Sequence, residues 1–238
     1  MQIEQTPLHD HLVRGLTHRM NNILSLFHGY VGMMLDNQTL DKSTRDGLKK
    51  IKDGACAASE LMDRTHALMR PSAVVWREVD LGDFIPLLKP SMDAFRSPLA
   101  SLEIDIADDL PKVRTDLARL KTAMFELVRN ACDATEDGGD VRIEVRTEAP
   151  IGNLSAAGTS AAQPSRWVSI AVVDNGPGID PEIQSRIFHP FFSTKRRQTA
   201  TGLGLNVAMG CVEQIGGVLR STSEPGKTRF VILLPASL

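Results

Sequence analysis

The stretch VVDNGPGI, residues 172–179, runs from a hydrophobic segment into an aspartate and two glycines that flank a proline. An aspartate at the end of a strand can accept a hydrogen bond from an exocyclic amine such as that of adenine. Glycines let the backbone approach a flat ring closely because they lack a Cβ. A plain turn would need one glycine and no aspartate. The stretch therefore predicts a strand ending in a nucleotide-binding turn, with Asp174, Gly176 and Gly178 as candidate residues.

Upstream of this turn, residues 116–134 have the pattern of an amphipathic helix. Glu126, Asn130 and Asp133 are four and three residues apart, so they share one face. The opposite face carries a core stripe of Leu117, Leu120, Met124, Leu127 and Val128. An Asn carbonyl oxygen is a suitable ligand for Mg²⁺, which prefers oxygen donors and keeps several waters. A solvated polar face is the alternative interpretation of this helix taken alone.

Downstream, the sequence TGLGL at residues 201–205 opens another predicted helix. Glycines before a helix leave backbone amides free to point at phosphate, and the helix dipole favours negative charge there. Between this loop and the aspartate turn, residues 188–192 (FHPFF) are followed by Lys195, Arg196 and Arg197. This order predicts an aromatic anchor under a basic lid that reaches phosphates; a solvated charge run is the alternative for the two arginines.

Strand-like and helical segments alternate around these motifs. Strands are expected at residues 102–106, 141–146, 167–173, 218–221 and 229–234. Helices are expected at residues 81–95, 116–134, 181–187 and 203–215. Residues 149–165 are rich in Ala, Gly, Ser and Pro without periodicity, which is typical of a loop between two strands.

The first 70 residues predict two long helices with heptad-like apolar seams. The first seam is Leu12, Leu16, Met20, Ile23, Phe27, Tyr30 and Met34, and the second is Leu48, Ile51, Ala55, Ala58, Met62, Thr65 and Met69. The polar break at residues 36–44 makes them an antiparallel hairpin, and Pro71 ends the second helix. Two helices alone leave little core, so a dimeric four-helix bundle is the expected completion.

Taken in order, these motifs make residues 80–236 resemble the ATP-binding domain shared by histidine kinases, type II topoisomerases, Hsp90 and MutL proteins. Residues 125–131 (FELVRNA) resemble its N box, 174–178 its G1 box, 188–192 its F box and 201–205 its G2 box. The F box and the spacing favour the sensor histidine kinases. The resemblance implies a two-domain α+β protein in which the helical hairpin precedes an α/β sandwich of three helices on a mixed sheet.

The same resemblance implies roles for individual residues, with ATP and Mg²⁺ as cofactors. Asn130 would hold Mg²⁺, with Glu126 acting through a bound water, and Asp174 would bind adenine. Gly202 and Gly204 would contact phosphates. The other positions expected to line the nucleotide site are Asp133, Gly176, Gly178, Ile179, Phe188, Lys195, Thr201, Leu203 and Leu205. Ala200 departs from the pattern, because many members have a further glycine there.

Within the first helix, residues 16–23 (LTHRMNNI) resemble an H box of the form His-x-x-Asn-Asn, which makes His18 the expected phosphoacceptor. His18 is two residues from the seam positions on either side, so it is expected to project away from the seam. Asn22, one turn later, is where family members position water for dephosphorylating a partner's aspartate. Most members have Asp or Glu after the histidine, whereas this chain has Arg19. A cation cannot accept the imidazole proton, so slow autophosphorylation is expected.

We therefore expect three segments: residues 1–70 as a dimerisation and phosphotransfer hairpin, 71–79 as a linker with a first short strand, and 80–238 as the ATP-binding domain. The expected function is a homodimeric, cytoplasmic histidine kinase that passes phosphate from His18 to the receiver domain of a response regulator. Input would come from a separate sensory protein or a missing input segment. The alternative is a phosphotransfer adaptor or regulator phosphatase that uses Asn22 and keeps ATP as an allosteric or structural ligand. An ATP-gated clamp is disfavoured because the chain has no transducer domain.

Composition excludes several other classes. The net charge of −2 gives no overall basic field for nucleic acid or an anionic membrane. No apolar run approaches the roughly 20 residues of a membrane helix, and the N-terminus lacks a signal-peptide pattern. The three cysteines are far apart and form no metal-binding or disulfide pattern.

Overall fold

A computed structural model gives the fold. It describes residues 7–69, 73–135, 138–149, 166–195 and 201–237, without the side chains of residues 7–18, 60–61 and 63–69. Of the expected loop at 149–165, only Ala149 is among the described residues. Arg196, Arg197 and Ala200 lie outside the described residues. The chain forms two compact units, residues 1–72 with 189–203 and residues 73–188 with 204–238.

In the first unit, two long helices form the expected hairpin. Helix α1 spans Pro7–Leu35 and helix α2 spans Lys42–Met69. The second helix begins two residues before the expected break ends because Asp41 caps it: its carboxylate accepts the Thr44 N–H at 2.9 Å and the Thr44 hydroxyl at 2.6 Å. Hydrogen bonding from the Thr44 side chain also holds the pKa of Asp41 below its usual range. Arg45 ties the turn together by donating to the carbonyl oxygens of Leu35 and Asn37, each at 2.9 Å.

The face of α1 that packs within this hairpin differs from the predicted seam. Leu24 and Val31 are buried, as is Ala55 on α2. The predicted seam residues of α1 that the structure describes are instead exposed: Met20, Ile23, Phe27, Tyr30 and Met34. Within one chain, α1 therefore uses a different set of residues to pack against α2. The narrower stripe through Leu24 and Val31, one heptad apart, makes that contact.

The second unit is an α/β sandwich. Its helices are α3 (Leu81–Asp93), α4 (Leu117–Ala134) and α5 (Gly204–Gln214). Its strands are β1 (Arg77–Val79), β2 (Ser101–Ile106), β3 (Val113–Thr115), β4 (Asp140–Glu148), β5 (Trp167–Asp174), β6 (Val218–Glu224) and β7 (Lys227–Pro235). Five of them form one sheet in the order β2-β4-β5-β7-β6. The β2–β4 pair is parallel and the other three pairs are antiparallel, so the sheet is mixed as expected.

The three helices cover the sheet: α3 contacts β2, α4 contacts β4 and β5, and α5 contacts β6. Strand β5 lies at the centre and is buried along almost its whole length. Strand β4 alternates buried and more exposed residues because only one of its faces meets the helices. On the more exposed residues, ion pairs join the neighbouring strands β2 and β4, Glu103 with Arg142 and Asp105 with Arg146. A third ion pair, Glu144 with Arg229, joins β4 to β7 across the intervening β5. The α/β sandwich of three helices on a mixed sheet is confirmed.

Two details of the second unit differ from the predictions. Residues 181–188 form successive turns instead of a helix. Their backbone bonds run from Ile183 N–H to Asp180 and from Arg186 N–H to Ile183, spacings of three residues that do not continue as an α-helix. Strand β3 was not expected, and three residues are too few to show a period; it pairs with β1 in a separate two-stranded sheet.

Candidate nucleotide-binding site

Helix α4 brings Glu126 to the start of α5. Asp116 caps α4 by accepting the N–H groups of Ala118 and Arg119 at 2.9 and 3.2 Å. Glu126 lies on the buried side of the helix and is only 9% exposed. A Cβ added at Gly204, the first residue of α5, would lie 2.8 Å from Glu126 Oε2. The carboxylate therefore contacts the N-terminal end of α5, where the helix dipole favours negative charge, and a side chain at Gly204 would displace it.

The aspartate turn packs against the C-terminal end of α4. Strand β5 ends at Asp174, which is 2% exposed and accepts the Gly176 N–H at 3.0 Å. A Cβ added at Gly176 would lie 3.0 Å from the Cβ and the carbonyl oxygen of Ala134, the last residue of α4. Only glycine allows this approach, and it brings the turn to the helix that carries Asn130 and Asp133, both half-buried.

At the end of the aspartate turn, the chain contacts the β6–β7 hairpin. Gly178 has φ +86°, and a Cβ there would lie 2.6 Å from the carbonyl oxygen of Glu224. The next residue, Ile179, donates its N–H to the Ser223 hydroxyl at 2.8 Å. Ser223 is in turn 3.1 Å from the hydroxyl of Thr228, which is buried. Both hydroxyl residues were missed, because their place beside the turn depends on strand register rather than on sequence spacing.

The first residue after Asp174, Asn175, is also held in place by hydrogen bonds. Asn175 Oδ1 accepts the backbone N–H of Asp140 at 2.8 Å, and its amide group donates to Asp140 Oδ2 at 3.3 Å. The Ser101 hydroxyl donates to Asp140 Oδ1 at 2.6 Å. Asn175 thus joins the turn to the first residues of β4 and β2. It was not predicted as a functional residue.

The aromatic anchor is split between the two units. Phe188 packs edge-on against the core residue Phe230, with ring centroids 6.3 Å apart, and its carbonyl oxygen accepts from Asn206 Nδ2 at 3.1 Å. Asn206 lies in α5 next to the half-buried Leu205. Phe188 is therefore held between the sheet and α5.

Lys195, Thr201, Gly202 and Leu203 belong to the other compact unit, with residues 189–203. In that segment Gly202 has φ +65°, and a Cβ there would lie 2.5 Å from the carbonyl carbon of Phe191. Phe191 also has a positive φ of 64° and is 72% exposed. The backbone at Gly202 therefore lies in close contact with the backbone at Phe191, and a glycine is needed at residue 202.

The phosphoacceptor candidate lies within α1. His18 and Arg19 are adjacent in this helix and Asn22 lies about one turn after His18; the side chains of Arg19 and Asn22 are exposed. The side chain of His18 lies outside the described residues.

The donor atoms of the second unit fit Mg²⁺ rather than a softer metal. Glu126 and Asn130 offer oxygen atoms from one helix face, four residues apart. Among the described residues, no group of three or more His, Cys, Asp or Glu side chains could hold a metal by itself. Mg²⁺ commonly binds through one or two protein oxygens, with waters and phosphates completing its shell, so these residues fit that ion.

Comparison with known proteins agrees with this geometry. Residues 115–238, more than half of the chain, match the family described as histidine kinase-, DNA gyrase B- and HSP90-like ATPases. The chain is 30% identical over 225 residues to the sensor kinase CckA of Brucella abortus, covering 94% of this chain and 24% of that protein. It is 28% identical over 226 residues to the sensory histidine kinase/phosphatase NtrB of Vibrio alginolyticus, covering 94% of this chain and 61% of that protein.

The fold also matches solved structures. Full-length ShkA in complex with AMPPNP aligns with a TM-score of 0.63 at 21% identity, over 95% of this chain and 46% of ShkA. The chain thus spans between a quarter and two thirds of the length of these relatives. Among the described residues, no helix has the length and hydrophobicity that a membrane span requires. By its matching residues and by the fold around Glu126 and Asp174, the chain belongs to the family of histidine kinase-, DNA gyrase B- and HSP90-like ATPases.

Proposed function

We propose that this chain is the kinase module of a two-component system, in which Mg-ATP phosphorylates His18. The observation that carries the proposal is that two of the motifs are joined to each other through α4. Glu126 contacts the start of α5, while the Asp174–Gly178 turn packs on the helix's last residue. The buried carboxylate of Asp174 can therefore bind a nucleobase. The N-terminus of α5, beside Glu126, can bind phosphates. The relatives' names, sensor kinase and sensory histidine kinase/phosphatase, support the same activity.

In this proposal each residue has a separate task. The Asp174 carboxylate accepts a hydrogen bond from the adenine amine, and Gly176, Gly178 and Ile179 form the wall beside the base. The bound Mg²⁺ neutralises charge on the phosphates. Asn130 and Glu126, the latter through water, would hold it, and Asp133 lies one turn further along the same face. The backbone of Gly204 and Leu205, at the start of α5, would contact the phosphates. The phosphate contacts expected of Lys195, Thr201, Gly202 and Leu203 stay predictions from the sequence.

The phosphoryl step forms a bond between an imidazole nitrogen of His18 and the γ-phosphorus, while the bond to the β–γ bridging oxygen breaks and ADP leaves. A neutral imidazole is a competent nucleophile near its ordinary pKa of about 6.5. Its ring proton must leave during the reaction, and Arg19 cannot accept it. We expect the phosphoryl group to pass next to an aspartate of a response-regulator receiver domain.

Autophosphorylation is tested with γ-labelled ATP and Mg²⁺. Label on the protein that is stable in alkali and lost in acid identifies phosphohistidine. Wild type should be labelled, His18→Gln should not, and His11→Gln, a matched change on the same helix, should be labelled as wild type. Labelling of His18→Gln at the wild-type rate would contradict the assignment.

Arg19 and Asn22 distinguish the kinase from its alternative. Restoring a carboxylate with Arg19→Asp should raise the labelling rate by about 10- to 100-fold, since general-base assistance is typically worth 10²–10⁴-fold. An unchanged rate would contradict a role for a base at this position. Asn22→Ala should leave labelling intact but slow dephosphorylation of the regulator.

A regulator phosphatase or phosphotransfer adaptor is the second candidate. It is favoured by Arg19 and by the word phosphatase in the name of the Vibrio relative. If wild type binds ATP yet neither it nor Arg19→Asp becomes labelled, this second function replaces the first. We further propose that the protein acts in the cytoplasm as a homodimer, with input from a separate sensory protein or segment.

A further inference from the structure

Three polar side chains form a row across one end of the sheet. Asp174 of β5 pairs directly with Thr228 of β7, and Thr228 pairs directly with Ser223 of β6. Directly paired residues of antiparallel strands project to the same face, with Cβ atoms about 4.5–5.5 Å apart. Asp174, Thr228 and Ser223 therefore lie side by side on one face, at the end of the sheet where the aspartate turn begins.

Hydrogen bonds connect this row to the exit of the turn. The Ser223 hydroxyl accepts the Ile179 N–H at 2.8 Å and lies 3.1 Å from the Thr228 hydroxyl. A serine hydroxyl has one proton and can accept as well as donate. Either hydroxyl can be the donor of the Ser223–Thr228 hydrogen bond. When Ser223 is the donor, the proton of Thr228, which is only 4% exposed, is left for an acceptor on the side of Asp174.

The contact is local to Ser223 rather than general to the strand. Gly178 approaches the carbonyl oxygen of Glu224, the residue after Ser223, so closely that a Cβ would lie 2.6 Å from that oxygen. The other serine of β6, Ser221, is two residues earlier and pairs with Phe230. Among the described residues, the contacts of the turn with the hairpin are thus found at its tip, at Ser223 and Glu224.

We infer that Ser223 is a positioning residue that sets base selectivity. By accepting from Ile179 and donating to Thr228, it fixes the exit of the turn and makes Thr228 a donor beside the acceptor Asp174. Adenine presents an amine donor next to a ring-nitrogen acceptor, whereas guanine presents a carbonyl acceptor next to an N–H donor. An acceptor–donor pair fits adenine and opposes guanine. This inference rests on the proposed binding of the base at Asp174.

The test is the ratio of GTP to ATP dissociation constants, measured with Mg²⁺ by calorimetric titration of the full chain. Ser223→Ala should weaken ATP binding about 5- to 10-fold, the worth of one or two hydrogen bonds, and lower the GTP-to-ATP ratio by a similar factor. Ser223→Thr keeps the hydroxyl and should keep the ratio. Ser221→Ala is the matched control on the same strand and should behave as wild type. A purely structural role would change both constants together and leave the ratio unaltered.

A double variant checks the coupling. If Ser223 sets base selectivity through Thr228, the GTP-to-ATP ratio of Ser223→Ala combined with Thr228→Val should equal that of Thr228→Val alone. A wild-type ratio in Ser223→Ala, or independent effects of the two changes, would overturn the inference. ATP binding without labelling of His18 in either wild type or Arg19→Asp would overturn the kinase proposal and leave the Ser223 comparison readable. Wild type that binds no ATP would overturn both.

Discussion

The side chain of Asp116 accepts four hydrogen bonds in the second unit, although no motif contains it. Besides capping α4, it accepts the Val75 N–H and a bond from Arg119 Nη1, at 2.8 and 2.7 Å. Arg119 Nε also donates a hydrogen bond to Gln214 Oε1 in α5, at 2.6 Å. Burial raises the pKa of Asp116, but the backbone hydrogen bonds and the Arg119 charge outweigh it, and the net result lies below the usual range. Asp116 thus connects the backbone at Val75 to α4 directly and to α5 through Arg119.

Replacing Asp116 by Asn should destabilise the second unit by about 2–4 kcal/mol, because Arg119 then loses a buried charged partner. A carboxyl whose pKa is lowered on folding stabilises the protein above its unfolded pKa of about 3.9, and that contribution is lost as the pH falls through the folded value. Wild type should therefore lose stability below about pH 4 more steeply than Asp116→Asn. Urea unfolding at several pH values measures both; parallel pH profiles would contradict the assignment.

The three cysteines should differ in reactivity. Burial raises the pKa values of the Cys132 and Cys211 thiols to about 11 each, so both stay protonated at neutral pH. Cys56, in α2, is half-buried and lies 2.8 Å from His28 Nε2. At pH 8 a chromogenic disulfide reagent should label one thiol quickly in the folded protein, and Cys56→Ser should abolish that fast phase. A fast phase of two or three thiols would contradict the burial of the other cysteines.

Among the elements, the turn after β5 depends on a glycine for two separable reasons. Gly178 has a positive φ, and its backbone also touches Glu224. Gly226, in the facing hairpin, has nearly the same φ of +82° with nothing within 4 Å of an added Cβ. Gly178→Ala should reduce ATP affinity more than tenfold by pushing the hairpin away, whereas Gly226→Ala should carry only the conformational strain of about 1 kcal/mol. Equal effects of the two variants on ATP binding would show that contact with the hairpin is unimportant.

The same elements show what sequence can and cannot predict. Helix α4 and strand β5 were predicted to within one residue, because each has a strong period or a long hydrophobic run and clear ends at Asp116 and Asp174. The proline at residue 181 suggested a helix start, but the chain there forms turns with three-residue hydrogen bonds. The positions of Thr228 and Ser223 depend on which strands become neighbours. Sheet order brings together residues that are about 50 apart in sequence, and no local pattern reports it.

For the whole molecule, the predicted dimerisation depends on the surface of the hairpin. Ile23, Phe27 and Tyr30 are about half exposed or more, at 47%, 53% and 64%. They belong to a regular apolar stripe that a single chain leaves uncovered. Large exposed apolar patches on soluble proteins usually mark an interaction surface. A second copy of the same stripe is the occupant that a bundle of four helices requires.

We therefore expect the protein to be a dimer in solution at micromolar concentration, and Ile23→Glu with Tyr30→Glu to make it a monomer by burying charge in the interface. Ser25→Glu is the matched control: it adds a carboxylate to an exposed position of the same helix, about 200° around from Ile23. Light scattering after gel filtration measures the mass, and circular dichroism checks that the helices remain. Because neither substitution changes a residue assigned to the nucleotide site, the monomeric variant should still bind ATP with wild-type affinity. A wild-type protein that is monomeric throughout, or a double variant that remains dimeric, would show that this stripe does not join two copies.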